Sequence, residues 1–234
     1  MKLLAIDTSG RALSAAIFAE GEVLASGGVD SGRNHSLELL PLVDDLLRHN
    51  HLTFADFDAF AATVGPGSFT GLRIGLATVK AWGQACGKPL VGVSTLDAIA
   101  ATAAGGAEAA DYIAPICDAR RNEVYTALYR GGERLSPDRA VGPDTLAREL
   151  ARLNQPVLLA GDALLTYEPL LRRELKDNFR LPAQGNQLFF AAAAARLAAV
   201  QYLAGAVVEP AALLPVYLRL SEAEEKRLEA ERRA

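Results

Sequence analysis

The 234-residue sequence predicts an α/β protein of two lobes, each built on a βββαβα unit. Three observations carry that expectation. Short apolar runs of strand length alternate with longer runs of helical periodicity. A glycine pair, Gly105-Gly106, punctuates the chain near its middle. After it the order strand, Asp, strand, glycine turn, strand begins again. A constant offset of 111 places Asp7 on Asp118, Ala16 on Ala127, Ile17 on Leu128, Phe18 on Tyr129, Gly21 on Gly132 and Leu24 on Leu135. The expected division is residues 1–105, residues 106–220 and a separate charged segment, 221–234.

The elements follow in order. Leu3 to Asp7 reads as a buried strand, Leu13 to Ala19 as a second, and Glu20-Gly21 turns into a third over Glu22 to Val29. A helix over His35 to His49 carries Leu39, Leu40, Leu42, Val43, Leu46 and Leu47, an apolar face wider than one sheet needs, and Pro41 is expected to kink it. Ala59 to Val64 is a strand, Ser68 to Cys86 a helix, Leu90 to Val93 a strand and Thr95 to Ala104 a helix. In the second half, strands are expected at Tyr112–Cys117, Val124–Arg130, Glu133–Val141 and Val157–Ala160. Helices are expected at Asp144–Leu153, Leu164–Leu175 and Leu188–Leu203. The last segment, 221–234, reads as a solvated helix with Ser221 and Glu224 in a capping-box pattern.

Two tandem units of this kind resemble the actin, sugar-kinase and Hsp70 class. In that plan the turn after the first strand of each unit holds a nucleotide's phosphates. Asp7-Thr8-Ser9-Gly10 has the hydroxyls, glycine and carboxylate for such a turn, and is read as its vestige, a satisfied turn inherited from the fold. The second turn, Asp118-Ala119-Arg120-Arg121-Asn122, has no glycine and two bulky cations where a backbone must approach phosphate. The glycine pair expected beside adenosine is reduced to Gly161-Asp162. No cofactor is expected.

Composition and spacing exclude other classes. With 24 Lys or Arg against 28 Asp or Glu, the net charge of -4 does not suit a general nucleic-acid glove. Arg120, Arg121, Arg172 and Arg173 are either solvated surface or a local patch facing RNA. Cys86 and Cys117 stand singly with no CxxC, which fits a reducing cytoplasm. The three histidines lack ligand spacing, so no metal centre is expected, and neither cysteine has a histidine neighbour for nucleophilic catalysis. The apolar stretch before Asp7 is too short for a signal peptide, and Leu188–Val200 too short for a membrane span.

The most distinctive stretch is Gly65-Pro66-Gly67-Ser68-Phe69-Thr70-Gly71-Leu72-Arg73-Ile74-Gly75, which leaves a strand and enters a helix but is neither a Walker loop nor GxGxxG. It is either a tight strand-to-helix turn or an anion site at a helix start. Gly71 and Gly75 cost helix stability, about 1 kcal/mol each, which close packing by another element would offset. That element is either a neighbour in the chain or a second chain. For a second chain, the interface residues are Leu39, Leu42, Val43, Leu46, Gly71, Leu72, Gly75, Thr78, Val79 and Trp82. On that reading Gly75→Leu would block association and spare the fold.

Ile6-Asp7-Thr8-Ser9, His35-Ser36 with Leu39-Leu40-Pro41, the Gly65–Gly75 stretch, Asp118-Ala119-Arg120-Arg121 with Glu123-Val124-Tyr125, and Pro215-Val216-Tyr217-Leu218-Arg219 together resemble the TsaB family, also called YeaZ. The resemblance runs the whole chain in order. It implies a non-catalytic subunit of the bacterial machinery that makes threonylcarbamoyladenosine in tRNA. The implied partners are the metal-containing transferase TsaD, of the same fold, and the ATPase TsaE, with tRNA met only through the complex. It also implies a homodimer when TsaD is absent, and an interface on the helices of residues 35–49 and 68–86. The rival functions are a stand-alone ATP-dependent phosphotransferase of this fold and a glycoprotease-like metallopeptidase.

Overall fold

The computed structural model describes residues 1–30, 34–105 and 112–219. Gly106 of the expected linker and the expected helix 221–234 lie outside them.

The first sheet has the order β3-β2-β1-β4-β5, formed by β1 (Lys2–Asp7), β2 (Leu13–Ala19), β3 (Glu22–Val29), β4 (Ala59–Gly65) and β5 (Leu90–Ser94). β1, β2 and β3 form an antiparallel meander, and β1, β4 and β5 run parallel. This is the connectivity expected when two hairpins are followed by helix crossovers. The crossovers are α1 (His35–His49) and α2 (Phe69–Cys86), followed by α3 (Thr95–Ala104). Each has the polar start its chemistry requires. The side chains of Asn34, Ser68 and Ser94 accept backbone N–H groups of the first turns, and Gly87 closes α2 in the left-handed conformation. Pro41 lies inside α1, which remains one helix of 15 residues.

The second sheet repeats the plan with β6 (Tyr112–Asp118) at its centre, antiparallel to β7 (Val124–Thr126) and parallel to β11 (Val157–Ala160). Two expected strands are broken here. Val124–Arg130 divides into β7 and β8 (Tyr129–Arg130), because Leu128 turns its backbone to Leu135 and to the Ser136 hydroxyl. Glu133–Val141 divides into β9 (Glu133–Arg134) and β10 (Arg139–Val141) around Pro137, which has no N–H to donate. α4 (Pro143–Ala151) and α5 (Leu164–Leu175) cover the outer face, and β12 (Phe179–Arg180), which the sequence reading missed, adds a parallel edge.

The layers run α1/α2, first sheet, α3/α6, second sheet, α4/α5. α6 (Ala191–Leu203) starts three residues later than expected and, although it comes from the second half of the sequence, packs on the first sheet. Its alanines explain the fit: Ala191, Ala194, Ala195 and Ala198 are wholly buried and let the helix approach both α3 and the sheet. Ser14 on β2 anchors its start, its Oγ accepting the Phe190 and Ala191 N–H groups at 3.1 and 3.0 Å. From α6 the chain returns along the first lobe. Val208 bridges Leu90, and Val216 donates its N–H to the Val64 carbonyl at 2.7 Å.

Candidate cleft between the two strand-end turns

β1, β6 and β11 end at the same side of the molecule, so the turn that follows Asp7 meets Asp118 and Asp162 at one cleft between the lobes. Its volume is about 850 Å³, lined by Ser9–Arg11, the start of α2, Asp118–Arg121, Asp162 and Val216–Arg219.

The first turn is the better ordered by its own chemistry. Asp7 is 1% exposed, and its Oδ1 accepts three hydrogen bonds, from the Ser9 N–H at 3.0 Å, the Ser9 hydroxyl at 2.6 Å and the Thr63 hydroxyl at 2.7 Å. Its Oδ2 is buried with no protein partner. The Thr8 hydroxyl donates to the Gly71 carbonyl at 2.7 Å, and the Ser68 N–H to the Ser9 carbonyl at 2.6 Å. The glycine-rich stretch therefore closes over this turn. A Cβ on Gly71 would sit 2.0 Å from the Thr8 carbonyl oxygen, and one on Gly75 2.3 Å from the Thr8 hydroxyl.

That geometry favours the first of the two readings of these glycines, packing by a neighbour in the chain. The element that approaches closely is the chain's own turn, so Gly75→Leu would disturb the fold before it tested any interface. The other expected interface residues divide. Leu39, Val43, Leu72, Val79 and Trp82 are buried in the chain's own core, Trp82 against Phe54 and Phe60 at 5.0 and 5.6 Å between ring centroids. Leu42, Leu46 and Thr78 are half-buried. The apolar groups that α1 leaves in solvent are Leu37 and Leu40, 70% and 54% exposed, beside exposed Pro41.

The second turn is held differently. Arg120, Arg121 and Asn122 take φ values of 62°, 53° and 58°, three successive left-handed residues without a glycine. The side chain of Asp118 serves its own turn, Oδ1 accepting the Arg120 N–H at 2.8 Å and Oδ2 pairing with the Arg120 guanidinium at 3.2 Å. Arg219 reaches back to Glu123 at 2.6 Å and to the Ala119 carbonyl at 3.4 Å.

Between the turns lies Asp162, read from the sequence only as the remnant of an adenosine site. Its Oδ2 accepts the Arg11 N–H at 3.0 Å and its Oδ1 the Asp118 N–H at 2.9 Å, one donor from each lobe. Gly161 puts it there. With φ at +121°, a Cβ on Gly161 would lie 2.2 Å from the Ile116 carbonyl oxygen. Asn186 holds the Gly161 peptide from both sides, its Oδ1 accepting the N–H at 2.9 Å and its Nδ2 donating to the carbonyl at 3.0 Å. Burial pushes the Asp162 carboxyl above its ordinary range; the two N–H bonds oppose that shift, and Asp118 and Asp7 add to it. Burial chiefly, then Asp162 and Asp7, raises the Cys117 thiol as well.

A nucleotide's phosphates do not fit these residues. The N–H groups that would cradle them already bind Asp162, and the second turn presents side chains rather than a bare backbone. At the cleft rim Phe69 stacks on Tyr217 at 4.8 Å, and Arg73 lies 3.8 Å over the Phe69 ring with its Nε donating to the Tyr217 hydroxyl at 3.0 Å. His35 meets the Gly10 carbonyl at 2.9 Å. Among the described residues no group of three or more His, Cys, Asp or Glu could hold a metal ion, and no helix is long and apolar enough to cross a membrane.

Comparison with known proteins agrees with this arrangement. The family model described as TsaD, tRNA N6-adenosine threonylcarbamoyltransferase, matches residues 22–225. The tRNA threonylcarbamoyladenosine biosynthesis protein TsaB of Bacillus subtilis is 33% identical over 99% of this chain and 100% of its own length. The Escherichia coli TsaB is 39% identical over 57% of each chain. The solved YeaZ-like structure from Pseudomonas aeruginosa superposes with a TM-score of 0.76 at 31% identity, covering 93% of this chain and 99% of that one. An activator of 2-hydroxyisocaproyl-CoA dehydratase from Clostridium difficile, at 13% identity and a TM-score of 0.54, shares the actin-like fold. A central β1 flanked by a meander and parallel crossovers, repeated around β6, and a glycine-rich entry closing over the first turn agree with those matches: the chain belongs to the TsaB, or YeaZ, family, within the sequence class that the TsaD model describes.

Proposed function

We propose that this chain is a non-catalytic subunit of the cytoplasmic machinery that places threonylcarbamoyl on adenosine in tRNA. In this role it activates a TsaD-like transferase of the same fold by binding it. The observation that carries the reading is the state of the interlobe cleft: the fold that in other proteins grips phosphates here has its N–H donors bonded to Asp162. The family supports the pathway, since the named relatives of Bacillus subtilis and Escherichia coli are threonylcarbamoyladenosine biosynthesis proteins. A TsaE-like ATPase joins the complex, and tRNA meets this chain only through it.

The surface offered to the transferase is the outer edge of α1, where Leu37 and Leu40 are in solvent. The same edge pairs two copies of the chain when the transferase is absent. The test is Leu40→Glu combined with Leu37→Glu, both at positions more than half exposed. Association with the transferase, followed by calorimetry, is expected to weaken at least about tenfold, or 1.4 kcal/mol, with thermal stability unchanged. Unaltered association would remove α1 from the interface. Cells depleted of the chain are expected to lose threonylcarbamoyladenosine from their tRNA, and full retention would overturn the assignment.

A further inference from the structure

We infer that the second lobe carries a binding site for a free α-amino acid with a large aliphatic side chain, in the cavity between α4 and the β7/β10 edge of its sheet. This cavity shares no lining residue with the interlobe cleft and includes nothing of α1, so the inference does not rest on the proposed function.

The cavity arises from a difference between the lobes. In the first, β2 runs unbroken beneath the 15-residue α1, and Ala15 and Ile17 are wholly buried in one cluster with Leu39, Val43 and Leu47. The offset of 111 puts Thr126 and Leu128 at those places in the second lobe. There β7 stops at Thr126, and the covering helix α4 has nine residues. A cavity of about 220 Å³ results, walled by Leu128, by Leu146 and Leu150 one turn apart on α4, and by Leu153 just past its end. Protein interiors hold few spaces larger than a water molecule. An apolar cavity of about 150 Å³ already takes up benzene, so this one has room for a large aliphatic group.

The polar groups select the molecule that carries it. Arg139 on β10 and Glu149 on α4 line the same cavity and form an ion pair, their side chains 43% and 38% exposed. A pair so exposed contributes little, and parting it costs little. A zwitterion gives both charges new partners: its carboxylate meets the Arg139 guanidinium in the two-pronged geometry that suits both, and its ammonium meets Glu149. An α-amino acid holds those two charges close together with an apolar arm beside them, which matches an opposite-charge pair at an apolar cavity. Thr126 adds a buried hydroxyl, 2% exposed, whose hydrogen bond to the Ala127 carbonyl is long at 3.4 Å. A few polar atoms in a mostly apolar wall distinguish a ligand pocket from a packing gap.

The probe is L-leucine, added to the full chain and followed through the backbone amide signals of Leu128 and Leu150 in 1H–15N spectra. Saturable shifts are expected at both, half-complete at about 1 mM or below. Isocaproate, which lacks the ammonium, and isopentylamine, which lacks the carboxylate, are each expected to bind at least about tenfold more weakly. Glu149→Gln and Arg139→Gln change partly exposed positions and should fold as wild type. Glu149→Gln is expected to weaken leucine at least about tenfold but not isocaproate, and Arg139→Gln to weaken leucine equally but not isopentylamine. Absence of a saturable shift with leucine would overturn the inference. So would equal binding by N-acetyl-leucine amide, which keeps the side chain without either charge and would make the cavity a pocket for a peptide's side chain instead.

Discussion

The two strand-end turns occupy equivalent places in the duplicated fold, yet they are stabilised by opposite means. The turn after β1 is held from inside: a buried carboxylate accepts three donors, and a helix start closes over it through glycines. The turn after β6 is held from its own surface, by a half-exposed Asp118, an exposed Arg120 and three residues in the left-handed region. The difference teaches that topology conserves the position of a turn while leaving its chemistry to be supplied by whatever packs on it. The first turn has α2 over it, whereas the second has Arg219 reaching to Ala119 and Glu123.

The largest effect should come from separating the first turn from its cover. Gly71→Ala puts a methyl group 2.0 Å from the Thr8 carbonyl oxygen, against backbone that cannot rotate away. A loss of about 3 kcal/mol or more in urea unfolding is expected from overpacking of that kind. If the variant kept wild-type stability, the claim that the glycine stretch is fitted to the turn would be wrong.

Next comes the pair of equivalent aspartates. Asp7→Ala strands the Ser9 N–H and two hydroxyls in the interior, for a cost of about 2–3 kcal/mol. Asp7→Asn keeps the accepting oxygen and should cost less than half of that. Asp118→Ala removes only a half-exposed pair and one turn hydrogen bond, and should cost about 0.5 kcal/mol. Equal losses at positions 7 and 118 would erase the contrast between the turns.

Much of this fold was legible because its first half obeys simple periods. Leu13–Ala19, Glu22–Val29, His35–His49 and Thr95–Ala104 stand where apolar spacing and capping residues put them. The second half was less readable, since Leu128 and Pro137 break strands for reasons that depend on which backbone lies opposite. The site was legible as two turns but not as one cleft. Asp162 is 151 residues from its partner Arg11 and 44 from Asp118, and no local pattern announces a bond over such separations. Gly71 and Gly75 signalled a close approach without saying to what.

A third contrast lies behind the cleft, where the Tyr129 hydroxyl donates to Asp97 at 2.8 Å and Arg134 pairs with the same carboxylate at 2.6 Å, tying the second sheet to α3. Burial first, then the bond to Asp97, pushes the Tyr129 phenol well above its usual value. A raised pKa means that the folded protein keeps a proton the unfolded chain gives up. Stability from this group is therefore complete below pH about 10 and is lost as pH rises beyond it. Tyr129→Phe should cost about 1 kcal/mol at neutral pH and should flatten the fall in stability above pH 10. A parallel fall in both proteins would exclude Tyr129 as its source.

The smallest effect has the opposite sign and concerns the second turn alone. Arg121 sits at φ 53°, between Arg120 and Asn122 in the same region, where a Cβ crowds the following carbonyl at a cost of about 1 kcal/mol or more per residue. Glycine has no such clash, although it also frees the unfolded chain, which takes back part of the gain. Arg121→Gly should therefore raise unfolding stability by about 0.5 kcal/mol, less whatever contact the guanidinium gives up, while a glycine's backbone freedom at the buried first turn has no strain to relieve. Because Asp118 Oδ1 would still receive the Arg120 N–H, the turn should keep its shape and Asp162 its two donors. A destabilisation of 1 kcal/mol or more would show that the Arg121 side chain, and not the backbone around it, holds the second turn together.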